Sequence, residues 1–216
     1  MSVFVKICGI CRKADLDTVL AAKPDAVGFV FWPRSPRAVD PETVARWSES
    51  VPASVLRVAV MVDPDETQLR EVLDRCAPDA VQLHRLAVSP RDTADRCERV
   101  LGASAQAPER WAACTPTEAL TDESFRRFDR ILLDAFDRAR VGGTGRCCDW
   151  TAARRAAGEL EPPVILAGGL SPANLTDALA AVRPAGVDVS SGVESAPGEK
   201  DPDKVKRFIE LCRTPS

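Results

Sequence analysis

A chain of 216 residues with 45% hydrophobic content is the length of one ordinary domain and has the apolar side chains for its own core, which excludes a disordered chain. Its 29 basic and 32 acidic residues leave a formal charge of −3, without the basic excess that nucleic-acid binding requires. Apolar stretches such as Val27–Trp32 fall far short of the ~18 residues of a membrane span, and Met1-Ser2-Val3-Phe4-Val5-Lys6 lacks a basic leader with a long apolar region, so a cytoplasmic protein is expected.

Short apolar, β-branched runs alternate with amphipathic stretches along the whole chain. The first expected strand is Val3–Cys8, followed by a helix over Asp15–Ala22, then strand Ala26–Phe31 and helix Pro41–Ser50. Strand Ser54–Val62 precedes helix Asp65–Cys76, and strand Ala80–His84 precedes helix Ser89–Leu101. The fifth pair, strand Arg110–Cys114 with helix Ser124–Phe128, has the thinnest pattern. Strand Arg130–Asp134 with helix Trp150–Gly158, Val164–Ala167 with Pro172–Val182, and Gly186–Val189 with Pro202–Cys212 complete the series. Ser171-Pro172 and Asp201-Pro202 each set a capping oxygen before a proline at the first helical position, where a missing N–H is harmless.

Most strand runs are apolar on both faces, as parallel strands covered on both sides must be. Eight strand–helix pairs leave about 27 residues for each, enough for a (β/α)8 TIM barrel spanning 1–216 as one α/β domain with short loops. The rival, a doubly wound open sheet, calls for a glycine fingerprint after its first strand, where this chain has Cys8-Gly9-Ile10-Cys11.

Barrel chemistry sits where strands end. Gly168-Gly169 after strand seven and Ser190-Ser191-Gly192 after strand eight are small residues whose backbone N–H groups an anion can approach, so a phosphate site is expected there; tight turns alone are the plain alternative. Asp134, between Ile131-Leu132-Leu133 and Ala135-Phe136, is either a general acid kept neutral by an apolar mouth or a turn former. Cys8 can serve as base or nucleophile if a positive charge supports its thiolate, and Lys6 shares its face; a buried small hydrophobe is the other reading. Arg34 and Arg37 flank Ser35-Pro36 in a stiff loop, where a guanidinium can clamp a carboxylate or lie in solvent. His84 is the only histidine, so it either lines the pocket or is structural, and no two-histidine metal site exists. Cys8-x-x-Cys11 raises redox or zinc chemistry, but a redox pair should open a helix and zinc needs two further ligands, so no metal is expected. The eight cysteines are expected as thiols rather than disulfides.

Lys6-Ile7-Cys8-Gly9-Ile10, Gly28-Phe29-Val30-Phe31-Trp32-Pro33-Arg34-Ser35-Pro36-Arg37 and Val81-Gln82-Leu83-His84 resemble the phosphoribosylanthranilate isomerase family. The second half agrees in order, with Leu132-Leu133-Asp134, Gly142-Gly143-Thr144-Gly145 before Asp149-Trp150, Leu166-Ala167-Gly168-Gly169-Leu170 and Gly186-Val187-Asp188-Val189-Ser190-Ser191-Gly192-Val193-Glu194. The resemblance implies a (β/α)8 barrel that carries out the Amadori rearrangement of N-(5-phosphoribosyl)anthranilate in tryptophan biosynthesis, without a cofactor. It further implies Asp134 as general acid, Cys8 as general base, Arg37 as holder of the anthranilate carboxylate, and Gly168, Gly169, Ser190, Ser191 and Gly192 as the phosphate grip. The related histidine-pathway isomerases resemble this chemistry but use aspartate where this chain has Cys8.

Cys11, Arg85 and Cys148 depart from the family pattern, and 85–117 matches it poorly. An Amadori isomerase acting on a substituted aminobenzoate riboside therefore stays open, as does a phosphometabolite-binding barrel with little catalysis. The expected partner is a phosphorylated small molecule, with neither nucleic acid nor membrane. A monomer is the default, with a dimer as the alternative.

Overall fold

The computed structural model describes residues 3–84, 89–102, 107–134 and 149–214. Its barrel strands are β1 (Phe4–Cys8), β2 (Ala26–Val30), β3 (Leu56–Val62), β4 (Ala80–His84), β5 (Glu109–Cys114), β6 (Arg130–Asp134), β7 (Val164–Ala167) and β8 (Gly186–Val189). They form one closed parallel barrel in chain order, with β8 pairing back to β1. Every predicted strand is present, with ends that move by two residues at most.

Closure makes the alternation of side chains decide which groups can meet. Odd and even positions of each strand separate into two apolar clusters. Val5, Ile7, Val27, Phe29, Val81, Leu83, Ile131, Leu133, Leu166 and Val187 face outward, under the helices. Cys8, Ala26, Val58, Val60, Ala80, Trp111, Ala113, Leu132, Ile165 and Ala167 fill the barrel itself. At the floor, Phe4 meets the Trp111 ring edge-on at 6.0 Å, and the Arg130 guanidinium lies 4.7 Å from the Phe4 ring centre. Glu109 joins them by accepting from Trp111 Nε1 at 2.7 Å and Arg130 Nε at 2.8 Å. That end is plugged, so the opposite mouth, where the strands finish, is the one available to a ligand.

The covering helices are α1 (Lys13–Ala21), α2 (Pro41–Ser48), α3 (Glu66–Cys76), α4 (Pro90–Leu101), α5 (Pro116–Thr121), α6 (Trp150–Glu159), α7 (Leu175–Val182) and α8 (Pro202–Arg213). Side-chain caps fix several starts: Asp65 and Gln68 form a capping box on α3, and Asp201 accepts from the N–H groups of Asp203 and Lys204 ahead of α8. The Asp201-Pro202 boundary is therefore as expected.

Two expectations need correction. The regular part of α7 begins at Leu175 rather than Pro172, because Asn174 turns back: its Oδ1 accepts from Ser171 N–H and its Nδ2 donates to the Gly169 carbonyl. The fifth helix is α5 at Pro116–Thr121, started by a reciprocal box between Thr115 and Glu118, while the expected Ser124–Phe128 stretch is a 3₁₀ turn over Glu123–Arg127. A short antiparallel hairpin, β9 (Glu194–Ala196) with β10 (Glu199–Lys200), was not anticipated and stands between β8 and α8.

The Gly142-Gly143-Thr144-Gly145 motif, Arg85 and Cys148 lie outside the described residues. Among the described residues, no helix is long and apolar enough to cross a membrane.

Candidate active site

Cys8 closes β1 on the interior face, two residues beyond Lys6, and is buried. Lys6 is fully buried, and its ammonium donates to Asp188 Oδ1 at 2.9 Å across the seam where β1 pairs with β8. Burial pulls the Lys6 ammonium toward its neutral form, but the Asp188 carboxylate, helped by Cys8, outweighs this and raises its pKa. Burial also pushes the Cys8 thiol up; Lys6 opposes that and Asp188 adds to it, leaving the pKa raised. At rest the site therefore holds a neutral thiol beside a buried ion pair.

Gly28 on the adjacent strand makes the arrangement possible. A Cβ there would stand 2.8 Å from Cys8 Sγ and 3.1 Å from both Lys6 Cε and Nζ. The glycine is a steric requirement of the thiol and ammonium above it, and its carbonyl accepts from the N–H groups of Gly9 and Ile10, which turn the chain after β1.

Asp134 closes β6, three strands round the barrel from β1. Leu132 belongs to the interior cluster, so the alternation turns Asp134 to the same inner mouth, where it is partly exposed. Its register partner on β7 is Ala167, also an interior residue. His84 ends β4 on the inward parity of Ala80, partly exposed at the rim. Below it, Gln82 is fully buried, and neither polar atom of its side-chain amide has a hydrogen-bond partner.

The two loops expected to hold phosphate meet. Gly168 and Gly169 follow β7 with φ of +81° and +70°, a left-handed pair that other residues rarely adopt. Gly192, in the 3₁₀ turn Ser191–Val193 after β8, packs so closely that a Cβ would overlap the Leu170 carbonyl oxygen and come within 3.1 Å of Ser171 Cα. Ser190 is partly exposed and Ser191 exposed. A Cβ at Gly9 would meet Ser190 Oγ at 2.8 Å and overlap Arg37 Cδ, which places the β8 loop and Arg37 beside the turn after Cys8.

Arg34 and Arg37 part company. Arg34 is exposed, whereas Arg37 is drawn in and makes a two-pronged pair with Glu194, Nε to Oε1 at 2.7 Å and Nη2 to Oε2 at 2.6 Å. Glu194 also accepts from Lys200 at 2.8 Å, and the same ammonium donates to the carbonyls of Cys8 at 2.7 Å and Ser190 at 3.2 Å. Burial raises the Glu194 carboxyl, but Arg37 and Lys200 more than reverse it and hold the pKa at about 2. Cys8, Arg37 and Ser190 are thus tied into one shoulder of the mouth, with Gly168 and Gly169 on the neighbouring loop and Asp134 farther round the rim.

Cys11 donates to the Gly198 carbonyl at 3.2 Å, and among the described residues no group of three histidine, cysteine or acidic side chains could hold a metal ion. The six described cysteines are free. Lys6 was legible from its place two residues before Cys8. The partnership with Asp188, the pairing of Glu194 with Arg37, and the part played by Lys200 were not.

Residues 5–211 match the family described as N-(5'-phosphoribosyl)anthranilate (PRA) isomerase. An N-(5'-phosphoribosyl)anthranilate isomerase of Magnetococcus marinus is 41% identical over 213 residues, covering 99% of this chain and 96% of the relative. Another, of Paracoccus denitrificans, is also 41% identical and covers 100% of this chain and 99% of its own length. Among solved structures, a phosphoribosyl anthranilate isomerase from Thermotoga maritima superposes with a TM-score of 0.83 at 35% identity, over 97% of this chain and 98% of the other. A further one, in complex with reduced 1-(o-carboxyphenylamino)-1-deoxyribulose 5-phosphate, gives 0.79 at 34% identity, again over 97% and 98%.

Proposed function

The chain belongs to the N-(5'-phosphoribosyl)anthranilate isomerase family, and from that membership we propose how its own residues divide the chemistry. It is an isomerase of tryptophan biosynthesis that converts N-(5-phosphoribosyl)anthranilate to 1-(2-carboxyphenylamino)-1-deoxyribulose 5-phosphate. Atoms are conserved in this Amadori rearrangement, so one acid and one base suffice, and no cofactor enters the reading.

Asp134 donates its proton to the furanose ring oxygen. The C1′–O bond breaks as the nitrogen lone pair forms a C1′=N bond, giving the open-chain Schiff base. Cys8, once its thiol proton has been released to solvent, acts as thiolate and removes the proton from C2′. The electron pair of that C–H bond forms C1′=C2′ and returns the C=N pair to nitrogen, giving an enolamine. Protonation at C1′ and loss of the C2′ hydroxyl proton then give the amino ketone. The protonated Lys6 beside Cys8 favours the thiolate during the second step, without having to move.

The observation that carries this reading is the convergence of Cys8, Asp134 and the two glycine-bearing loops on the open end of one barrel, whose other end is plugged. Gly168, Gly169, Ser190, Ser191 and Gly192 form the phosphate grip, and Arg37 receives the aryl carboxylate. The reading takes a single domain and a monomer as the functional unit, because every group it uses belongs to one chain, although a Thermotoga maritima relative is described as dimeric. It places the enzyme in the cytoplasm.

The test is the steady-state kinetics of Cys8→Ala and Asp134→Asn. Each is expected to lower kcat by roughly 10²–10⁴-fold with little change in KM, since the groups act in the transition state. A folded variant that keeps more than half of wild-type turnover would remove its residue from the mechanism.

A further inference from the structure

Arg37 has five N–H donors in a planar fork, and Glu194 occupies only the Nε/Nη2 edge. The Nη1/Nη2 edge is the second face on which a guanidinium can take a carboxylate by two parallel bonds. Arg37 keeps 20% of its side chain exposed, while Glu194 keeps 4% and Lys200 none. Of the three, the arginine is therefore the one with surface left for a ligand to reach.

Lys200 is fully spent. Its three donors go to Glu194 Oε1, the Cys8 carbonyl and the Ser190 carbonyl, so it has none left for a ligand. Glu194 in turn accepts three bonds, two from Arg37 and one from Lys200. The charges of the triad sum to +1, which matches one substrate carboxylate. Without Lys200, the Arg37–Glu194 pair would be neutral and would offer such an anion far less. Hairpin β9–β10 carries both Glu194 and Lys200, so it brings the carboxylate and the ammonium together against Arg37, from the loop after β2, and against the end of β1.

We propose that Glu194, braced by Lys200, is a positioning residue for carboxylate recognition: it holds the Arg37 guanidinium so that its Nη1/Nη2 edge faces the aryl carboxylate of the substrate, in register with Cys8. This rests on the assignment of Arg37 to that carboxylate. The hairpin thereby becomes a determinant of aryl specificity, selecting 2-carboxyanilines over anilines without touching the ligand.

Two inert ligands test it: the reduced product, a 1-(2-carboxyphenylamino)-1-deoxypentitol 5-phosphate, and its phenylamino counterpart without the carboxyl group. Isothermal titration calorimetry of wild type, Arg37→Ala and Glu194→Gln gives the ratio of the two Kd values for each protein. Wild type is expected to prefer the carboxylated ligand by about tenfold to a hundredfold, the usual range for hydrogen bonds to a charged group. Arg37→Ala should abolish that preference. Glu194→Gln, whose amide offers one acceptor oxygen and turns an N–H₂ toward a cation, should lose most of it while binding the phenylamino ligand as wild type does.

Glu194→Gln that keeps the wild-type ratio, or weakens both ligands equally, would overturn the proposal and leave Arg37 in place. A wild type without preference, or an Arg37→Ala that retains it, would overturn the proposal together with the Arg37 assignment. If Glu194→Gln does not fold, Glu194→Asp carries the test, because it keeps the charge but draws the carboxylate back by one methylene. A reduced ratio supports the proposal, and an unchanged one overturns it.

Discussion

Gly28→Ala adds one methyl group directly beneath the proposed base, and the structure specifies what that methyl meets. Its carbon would stand 2.8 Å from Cys8 Sγ and 3.1 Å from Lys6 Nζ. A carbon–sulfur contact of ordinary length is about 3.7 Å, so one partner must give by nearly 1 Å. Lys6 is held by Asp188 at 2.9 Å and cannot retreat without weakening a buried ion pair, which leaves the thiol to move. Overpacking of this kind costs about 1–3 kcal/mol of stability, and a misplacement of about 1 Å near the reacting atoms costs on the order of 100-fold in rate. Urea denaturation and steady-state kinetics on one preparation give both numbers. The expected outcome is a folded protein, destabilised within that range, whose kcat falls by about two orders of magnitude while KM changes little. A Gly28→Ala enzyme that turns over within about threefold of wild type would refute the packing argument, because the thiol would then have moved without consequence or would not be the base.

Two further outcomes follow from the charges. Because burial raises the Cys8 pKa above that of an ordinary thiol, its alkylation by iodoacetamide in the free enzyme should still be accelerating above pH 9, and Lys6→Met should slow it further at every pH. A plateau below pH 8, read by mass spectrometry of the modified peptide, would contradict this. Glu194 titrates at about 2 when folded and near 4.3 when unfolded, so its contribution of about 3 kcal/mol is fully present above pH 5 and lost as pH falls through 2. About 2 kcal/mol of it should disappear between pH 7 and pH 3, so the fall in urea-measured stability over that range should be smaller by that amount in Glu194→Gln. Equal losses in the two proteins would show that the carboxylate is not paired in solution.

The eight strands were legible because a parallel strand covered on both sides must be apolar at nearly every position, and such runs survive in a single sequence. The placement of Cys8, Asp134 and the glycine loops at one mouth was legible because they stand where those runs end, and a parallel barrel gathers its strand ends at one face. Ser171-Pro172 has the look of a cap at the start of α7, but the side chain that organises the turn is Asn174, three residues later. α5 carries its own sign in Thr115-Pro116-Thr117-Glu118, a capping box that directly follows the thin fifth strand.

What stayed hidden has a common physical cause. Lys6 and Asp188 are 182 residues apart and meet only because the barrel closes. Glu194 and Lys200 lie on strands of three and two residues, too short to leave a period, and a charged pair in that setting reads as solvated surface. Their burial is set by the turn after Cys8 and by the Ser190 loop, neither of which periodicity describes.

In the proposed mechanism Cys8 carries the isomerisation. Its most direct test is the loss of fluorescence of N-(5-phosphoribosyl)anthranilate, formed in place from anthranilate and phosphoribosyl pyrophosphate by a separate transferase, with wild type and Cys8→Ala compared side by side. Rapid loss with wild type and none above the uncatalysed rate with folded Cys8→Ala is the predicted result. Equal loss with both proteins would contradict the assignment of the base, and no loss with either would contradict the assignment of the reaction.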